Sequence, residues 1–471
     1  MKHILCLLLA ANCVLLANSH VDANDSHPNI VFIFIDDMGF ADLGCFGNPL
    51  MKTPHIDGLA KQGLRLTNFY VNSPICSPSR VAVTTGQYPS RWQIHSYLNT
   101  RKGNRQRGMR DFLDASAPTT AKKLRSHGYA TAHFGKWHMG GGRDVGDAPL
   151  PSDYGFDESC VAFEGLGDRI LDNPKNSSVQ LGRGNIEFCD RWEKTEKYTD
   201  LAIDFIRRHR TQPFFLRLFP NDVHDRHQPR PGSAKKWQDV TSNPWQQKFC
   251  AVLEELDQQI GRLVQSIDQM GLADSTLIVL TSDNGPTDWP KYYRQPNDYP
   301  PGFTGPFFGR KWSLYEGGIR VPFIARWIGK IPADMVDDQS IVSGIDLSPT
   351  FCHLVGVDIP ASEQLDGIDR SDVLLGLPSP RSRACFWQYG APHAKLQPGK
   401  LAHRSPTLAV REGNWKLLVN ADGSNEQLFN LAQDPSESHN LAGRHPKIVT
   451  SLTDQLRGWT ADVGVDFHTT P

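Results

Sequence analysis

Ile30-Val31-Phe32-Ile33-Phe34-Ile35 runs directly into Asp36-Asp37. Six β-branched or aromatic apolar residues in a row describe a strand covered on both faces. Working outward, similar runs recur at Tyr129–Phe134, Phe214–Phe219, Thr276–Thr281 and Pro322–Trp327. Helical patterns lie between them at Thr53–Gln62, Thr119–His127, Glu193–Arg210 and Pro244–Met270. Three of these stop at a glycine (Gly63, Gly128, Gly271), the residue best suited to a helix C-terminus. The alternation predicts an α/β domain, a sheet with helices on both faces, over residues 24–376. Leu377-Pro378-Ser379-Pro380 reads as a linker. Leu408–Arg411 and Trp415–Val419 then flank Glu412-Gly413-Asn414 as a hairpin, and a last helix covers about Pro446–Trp459. A smaller α+β domain is therefore expected over 381–471.

The 471-residue chain carries 50 Lys+Arg against 51 Asp+Glu, a formal charge of -1. That balance gives no general pull toward nucleic acid or anionic membrane. Met1-Lys2-His3, the apolar run Ile4–Ala17 and Val21-Asp22-Ala23 form a secretory signal, cut after Ala23. The run, interrupted by Asn12, is shorter than the ~20 residues a span requires, so export to periplasm or medium is expected without stable membrane insertion. Cleavage removes Cys6 and Cys13 and leaves seven cysteines: Cys45, Cys76, Cys160, Cys189, Cys250, Cys352 and Cys385. An odd count sets one thiol apart and leaves six that are compatible with disulfides. Buried free thiols are the equal alternative.

Chemistry gathers where strands end, as ligands do in open α/β sheets. One strand ends in Asp36-Asp37, another in Asp283-Asn284-Gly285. Converging carboxylates repel unless a cation holds them, and hard oxygen donors favour Ca²⁺ or Mg²⁺ over Zn²⁺. Taken alone, an acidic pair after a strand is more often a solvated turn or helix cap, and it takes two such ends in one chain to bring the cation reading level with that. In Cys76-Ser77-Pro78-Ser79-Arg80, Pro78 suits the first turn of a helix. Cys76 is then expected just before a helix N-terminus, where free N–H groups attract an anion. Arg80 falls one turn inside.

The Cys76-x-Pro78-x-Arg80 spacing resembles the maturation signal of the type I, formylglycine-dependent sulfatases, arylsulfatase-like members of the alkaline-phosphatase-like superfamily. Asp36-Asp37-Met38-Gly39 and Ser282-Asp283-Asn284-Gly285 resemble that family's two metal motifs. Gly135-Lys136-Trp137-His138 is similar to its Gly-Lys-Trp-His element, and Lys311 stands five residues before Glu316-Gly317-Gly318 as its lysine does. Leu428–Leu431 and Asp434-Pro435-Ser436-Glu437 resemble its C-terminal stretch. One element departs: where the family has Pro-His-x-Pro, this chain has Pro220-Asn221-Asp222-Val223-His224-Asp225-Arg226-His227. His224 matches best by distance from the strand, with His227 as a rival.

The resemblance implies a large mixed sheet sandwiched by helices, with a smaller C-terminal α+β domain. It implies hydrolysis of sulfate monoesters to an alcohol and sulfate. Asp36, Asp37, Asp283, Asn284 and the oxidised Cys76 would hold one Ca²⁺. A formylglycine-generating or sulfatase-maturing enzyme would convert Cys76 to formylglycine, whose hydrate attacks sulfur. Arg80 would stabilise that group, Lys136 and Lys311 would neutralise sulfate oxygens, His224 would protonate the leaving alcohol, and His138 would act as the base that releases sulfate. Readings from other classes are a phosphate or phosphonate ester hydrolase of the same superfamily and a non-catalytic carbohydrate-binding relative. Arg101–Arg110 places five positive charges in ten residues, which is either a solvated loop or a grip for a polyanion. The second reading favours a sulfated polysaccharide over a sulfated small molecule as substrate.

Overall fold

In this computed structural model the described residues are 27–295, 298–360, 362–390 and 396–467. The expected signal at 1–23 lies outside them. Along the chain come β1 (Asn29–Ile35), α1 (Pro54–Lys61), β2 (Leu64–Leu66), β3 (Phe69–Tyr70), α2 (Cys76–Thr85), α3 (Arg101–Arg105), α4 (Thr120–Ser126) and β4 (Ala130–Lys136). β5 (Glu158–Ala162), β6 (Arg169–Leu171), β7 (Ile186–Phe188), α5 (Lys194–His209), β8 (Phe214–Phe219), α6 (Pro244–Gln269) and β9 (Thr276–Ser282) follow. Then come α7 (Glu316–Ile319), β10 (Phe323–Arg326), β11 (Met335–Asp337), β12 (Val342–Ser343), α8 (Leu347–Leu354) and α9 (Ser371–Leu374). The chain closes with β13 (Cys385–Gln388), β14 (Leu408–Glu412), β15 (Trp415–Val419), β16 (Gln427–Asn430) and α10 (Pro446–Asp462).

Ten strands make one sheet in the order β11-β2-β10-β9-β1-β8-β4-β5-β6-β7. It is mixed, because β10 runs antiparallel to both β9 and β2 while the other pairings are parallel. β1 occupies the middle and serves two cores at once. Ile30, Phe32 and Phe34 pack on one face with residues of α2, α4 and α8, and Val31, Ile33 and Ile35 pack on the other with residues of α1, α5 and α6. Alternate side chains pointing to opposite faces, both apolar, explain the unbroken run. Truncating Phe32 to alanine in such a place costs about 3–5 kcal/mol.

The four predicted helices form, each ending a residue or so inside the expected bounds because the outer residues act as caps. The seven cysteines from Cys45 to Cys385 are all free thiols, so the disulfide reading of six of them does not hold. Cys250, Cys352 and Cys385 are buried and pack in the cores as small apolar groups.

The C-terminal sheet β13-β14-β15-β16 is antiparallel and closes over α10 through Leu408, Val410, Leu417, Leu452 and Leu456. It is fastened to the large sheet by a buried ion cluster. Lys416 Nζ lies 2.9 Å from both Glu316 Oε1 and Glu437 Oε1. The Glu316 N–H donates to Glu437 Oε2 at 2.6 Å, and Tyr70 and Arg320 donate to Glu316 Oε2. Two of the motifs read in the sequence, Glu316-Gly317-Gly318 and Asp434–Glu437, thus meet here.

Burial alone would raise Glu316, but Lys416, Arg320 and Arg411 overcome it and hold the carboxyl at about 2. Burial and then Glu316 push Glu437 up to about 7. Glu316 therefore adds stability above its ordinary value near 4.5, lost only as pH falls toward about 2. Glu437 has the opposite sign, because the folded chain holds its proton tighter, so its contribution declines from about pH 4.5 to about 7. Glu316→Gln should cost about 3–5 kcal/mol at neutral pH by leaving Lys416 poorly compensated. Glu437→Gln should gain on the parent as pH rises across that window. Thermal unfolding between pH 5 and 8 separates the two, and equal losses in both variants at all pH values would contradict this reading.

Candidate active site

β9, β1, β8 and β4 are adjacent and parallel, so their carboxyl ends open on one edge. The register Ile35↔Ser282 sets the two acidic strand ends side by side. Past β1 the backbone of Asp37 turns to φ 61°, a left-handed conformation that aspartate tolerates better than most residues. The turn is held by the Asp37 N–H donating to Asp283 Oδ1 at 3.0 Å and the Met38 N–H to Ser282 Oγ at 2.9 Å. On the other side the Asp36 N–H donates to the Asp222 carbonyl and the Val223 N–H to the Asp36 carbonyl, which draws in the loop carrying His224. β4 ends on Lys136, followed by Trp137 and His138.

Helix α2 begins at Cys76 itself, one position earlier than the sequence suggested, with Pro78 inside its first turn. Cys76 Sγ lies 3.5 Å from Asp36 Oδ1, 3.9 Å from Asp37 Oδ1 and 3.5 Å from Lys311 Nζ. One turn on, Arg80 Nη2 donates to Asp283 Oδ2 at 2.7 Å and Nη1 to the Lys136 carbonyl at 3.0 Å. Lys136 Nζ donates to both oxygens of Asp36, at 2.8 and 2.6 Å. Lys311 Nζ pairs with Asp37 Oδ1, which also accepts from Asn284 Nδ2 at 2.8 Å. His224 Nε2 stands 3.5 Å from Asp37 Oδ2. Ligand atoms of Asp36, Asp37, Cys76 and His224 all fall within 4.8 Å of one another.

The rival histidine is placed differently. His227 is buried, with Nε2 at 2.9 Å from the Val223 carbonyl and its ring edge-on to Phe249. His224 keeps 27% of its side chain exposed and faces the carboxylates. His138 sits at φ 50° with Nε2 3.3 Å from the Leu98 carbonyl. A carbonyl only accepts, so Nε2 carries the proton, and Nδ1 is left as a buried acceptor with no partner. Leu98 could not be foreseen, because its contribution is a backbone carbonyl on a loop distant in sequence. Phe163, under the Lys136 ammonium at 5.4 Å, was equally hidden.

The titration behaviour follows from crowding. Burial alone would raise Asp36, yet Lys136, His224, Arg80 and Lys311 together hold it well below the carboxylate range. Burial and then Asp36 push Asp283 up to about 6 despite Arg80. Burial, and after it Asp283, pushes the Cys76 thiol far up, so it stays protonated. Burial, then Lys136 and Arg80, keep His138 neutral. Two buried oxygens, Asp37 Oδ2 and Asn284 Oδ1, accept no hydrogen bond. Unpartnered oxygens among carboxylates fit a hard divalent cation.

A tight joint couples this centre to the loop that carries Lys311. The Gly285 N–H donates to the Gly318 carbonyl at 2.9 Å, and a Cβ on Gly285 would meet the Gly317 oxygen at 1.9 Å. Only glycine lets the metal-motif turn and the Glu316–Ile319 turn approach so closely. Two larger cavities, of about 780 Å³ beside Cys160 and about 610 Å³ between Arg107 and Asn420, are lined by none of the candidate catalytic or metal-binding residues.

Residues 28–357 match the sulfatase family, and residues 305–462 match the family described as N-sulphoglucosamine sulphohydrolase, C-terminal. The chain belongs to the sulfatase family. It is similar to the N-acetylgalactosamine-6-O-sulfatase of Bacteroides thetaiotaomicron, 30% identical over 92% of this chain and 93% of that protein. It is also similar to arylsulfatase A of Homo sapiens, 30% identical over 93% of this chain and 89% of the other. Among solved structures, Ps i-CgsB in complex with k-i-k-neocarrahexaose aligns with a TM-score of 0.76 at 27% identity, covering 94% of both chains. The protein is accordingly a sulfuric ester hydrolase of the arylsulfatase kind.

The basic run of this sulfatase is only partly available to a ligand. Arg101 is paired with Asp111 and Asp147, and Arg107 is buried over the Tyr97 ring at 4.2 Å with Nε donating to the Gly103 carbonyl. Lys102, Arg105 and Arg110 remain exposed. For the Gly285 joint the expected outcome is sharp. Gly285→Ala should lose at least 1–3 kcal/mol of stability from overpacking and most of its activity, read by thermal unfolding and sulfate release. Parent-like values would mean that the two turns are not rigidly joined.

Proposed function

We propose that this sulfatase removes sulfate from sulfated carbohydrate, using one Ca²⁺ and a formylglycine made from Cys76. The observation that carries the reading is a protonated, buried thiol at the start of α2, among three carboxylates and three side-chain cations. A neutral thiol is a poor nucleophile, so cysteine is better understood as the precursor of the working group. Asp36, Asp37, Asp283 and Asn284, with an oxygen at position 76, would hold the ion. The ion supplies Lewis-acid polarisation of a sulfate oxygen, and the formylglycine hydrate supplies an oxygen nucleophile with a second hydroxyl beside it.

The side chains divide the remaining work. Asp36, Asp37 and Asp283 are matched by Arg80, Lys136 and Lys311, so a divalent cation would leave the centre positive and attractive to a sulfate ester. Lys136 and Lys311 bring fixed charge to the ester oxygens. Arg80 pins Asp283 and stands next to residue 76 on its helix. His138 is neutral with Nδ1 free, the state a base requires. His224, on the exposed side, is suited to protonating the leaving alcohol. Burial lowers it to about 4 against the pull of Asp37, and an anionic ester beside it shifts it back up.

A carbohydrate substrate is supported by the names of the relatives and by the saccharide bound to the similar structure. Export through the leader at 1–23, to periplasm or medium, and conversion by a formylglycine-generating or sulfatase-maturing enzyme complete the proposal. No described helix is long and apolar enough to cross a membrane.

The tryptic peptide Leu66–Arg80 should be lighter than its sequence requires in active protein, because the thiol has become an aldehyde. Cys76→Ser should take up at most one sulfate per chain and keep it as an added mass on that peptide. Cys76→Ala should show neither turnover nor adduct. Sustained turnover by Cys76→Ser would sink the reading.

Exhaustive chelation should remove activity, and Ca²⁺ should restore it while raising the unfolding temperature. Asp283→Asn should blunt that thermal shift. A chelated enzyme with full turnover and no shift on adding Ca²⁺ would exclude the ion.

A further inference from the structure

Next to the His224 loop, Trp245 stands half-buried on the first turn of α6, its ring edge-on to Tyr292 at 5.2 Å. Three cations surround this one indole: Arg294 at 5.7 Å and Lys248 and Lys291 at 5.9 Å. The patch is tied to the catalytic loop through Asp225. Its Oδ2 accepts from Lys291 Nζ at 2.6 Å, and its Oδ1 from the Tyr292 hydroxyl at 2.8 Å, while its carbonyl meets His224 Nδ1. Asp225 belongs to the segment that departs from the family's Pro-His-x-Pro, so the departure is what anchors the patch.

The charges are not all spent. Asp225 answers Lys291. Among the described residues Asp298 Oδ2 accepts from the backbone N–H groups of Arg294 and Gln295, at 3.0 and 2.8 Å. Among the described residues no carboxylate pairs with the side chains of Lys248 or Arg294, and both are exposed. Like charges gathered on one ring repel each other unless an anion joins them. An aromatic face bordered by unpaired cations matches a sulfated sugar, which offers an apolar C–H face and an anionic substituent together.

We propose that Trp245, Lys248 and Arg294 form a subsite for the sulfated sugar unit flanking the one that is desulfated. The indole packs against the ring of that unit, and the two cations take its sulfate. Asp225 with Lys291 and Tyr292 fixes the subsite relative to His224. The inference rests on the carbohydrate reading above and adds to it that the substrate is longer than one sugar and carries sulfate on a neighbour.

The test compares mature full-length enzyme with Lys248→Gln/Arg294→Gln and Trp245→Phe. The substrates are sulfated tetrasaccharides of chondroitin and of carrageenan, their monosaccharide sulfates, and 4-nitrocatechol sulfate. On the tetrasaccharide that is turned over, the double variant should raise KM at least tenfold at little change in kcat, since both charge-assisted contacts to the flanking sulfate are lost. Trp245→Phe should raise it less. Monosaccharide and aryl substrates should be unaffected, since remote binding alone is lost. Unchanged KM in both variants overturns the subsite. So does an equal rise in Arg105→Gln/Arg110→Gln, which would move the grip to the other basic segment. If 4-nitrocatechol sulfate is hydrolysed and no sulfated saccharide is, the carbohydrate reading has failed, and the subsite falls with it.

Discussion

Six charges share one buried space at the carboxyl edge of the central strands, and the rest of the arrangement depends on their mutual compensation. Asp36, Asp37 and Asp283 are each less than 3% exposed, and so are Arg80 and Lys136, with Lys311 at 3%. An isolated ion in such a place costs several kcal/mol, which only close, well-directed partners offset. Arg80 on Asp283, Lys136 on Asp36 and Lys311 on Asp37 supply those partners one for one. The three cations arrive from three different places, a helix, a strand end and a long loop. Each of those elements is therefore held in position by the ion pair it completes.

That distribution explains how much could be read from sequence. The acidic strand ends were legible because a continuous apolar run stopping at Asp36-Asp37 is a local pattern. Their meeting with Asp283-Asn284 depends on β1 and β9 being parallel neighbours in a set register, a non-local property that the family resemblance supplied and periodicity did not. The short strands β2, β5, β6 and β7 were missed because three to five residues carry too little alternation to be distinguished from loop. The antiparallel direction of β10 was invisible for a related reason: a buried strand looks the same from either end. Spacing ranked His224 ahead of His227 without excluding the latter, since what separates them is a contact with Phe249 in one case and with Asp37 in the other.

Motifs that travel together in a family need not share a task. Glu316-Gly317-Gly318 follows Lys311 closely enough to suggest sulfate chemistry, yet the glutamate pairs with Lys416 of the C-terminal sheet. The glycines that follow it pack on Gly285. One short turn thus bears on the metal-motif turn on one side and on the small sheet on the other. The C-terminal sheet, which contributes none of the proposed catalytic groups, is in this way coupled to the position of Lys311.

Cys76 gathers these strands of argument. A cysteine meant to act as a thiolate is found in electropositive surroundings that lower its pKa. Here burial comes first, and Asp283 and Asp36 oppose ionisation even with Lys136 and Lys311 near. The helix start that presents residue 76 favours a negative oxygen through its free N–H groups and its dipole. The two unpartnered oxygens of Asp37 and Asn284 likewise call for a hard ion, for which sulfur is the wrong ligand. Burial, the two carboxylates and the unpartnered hard donors thus suit an oxygen at position 76, as the proposed formylglycine would supply, better than a thiolate. If Cys76 is oxidised as proposed, the modification would have to precede closure of the fold, because a residue 2% exposed offers no approach afterwards.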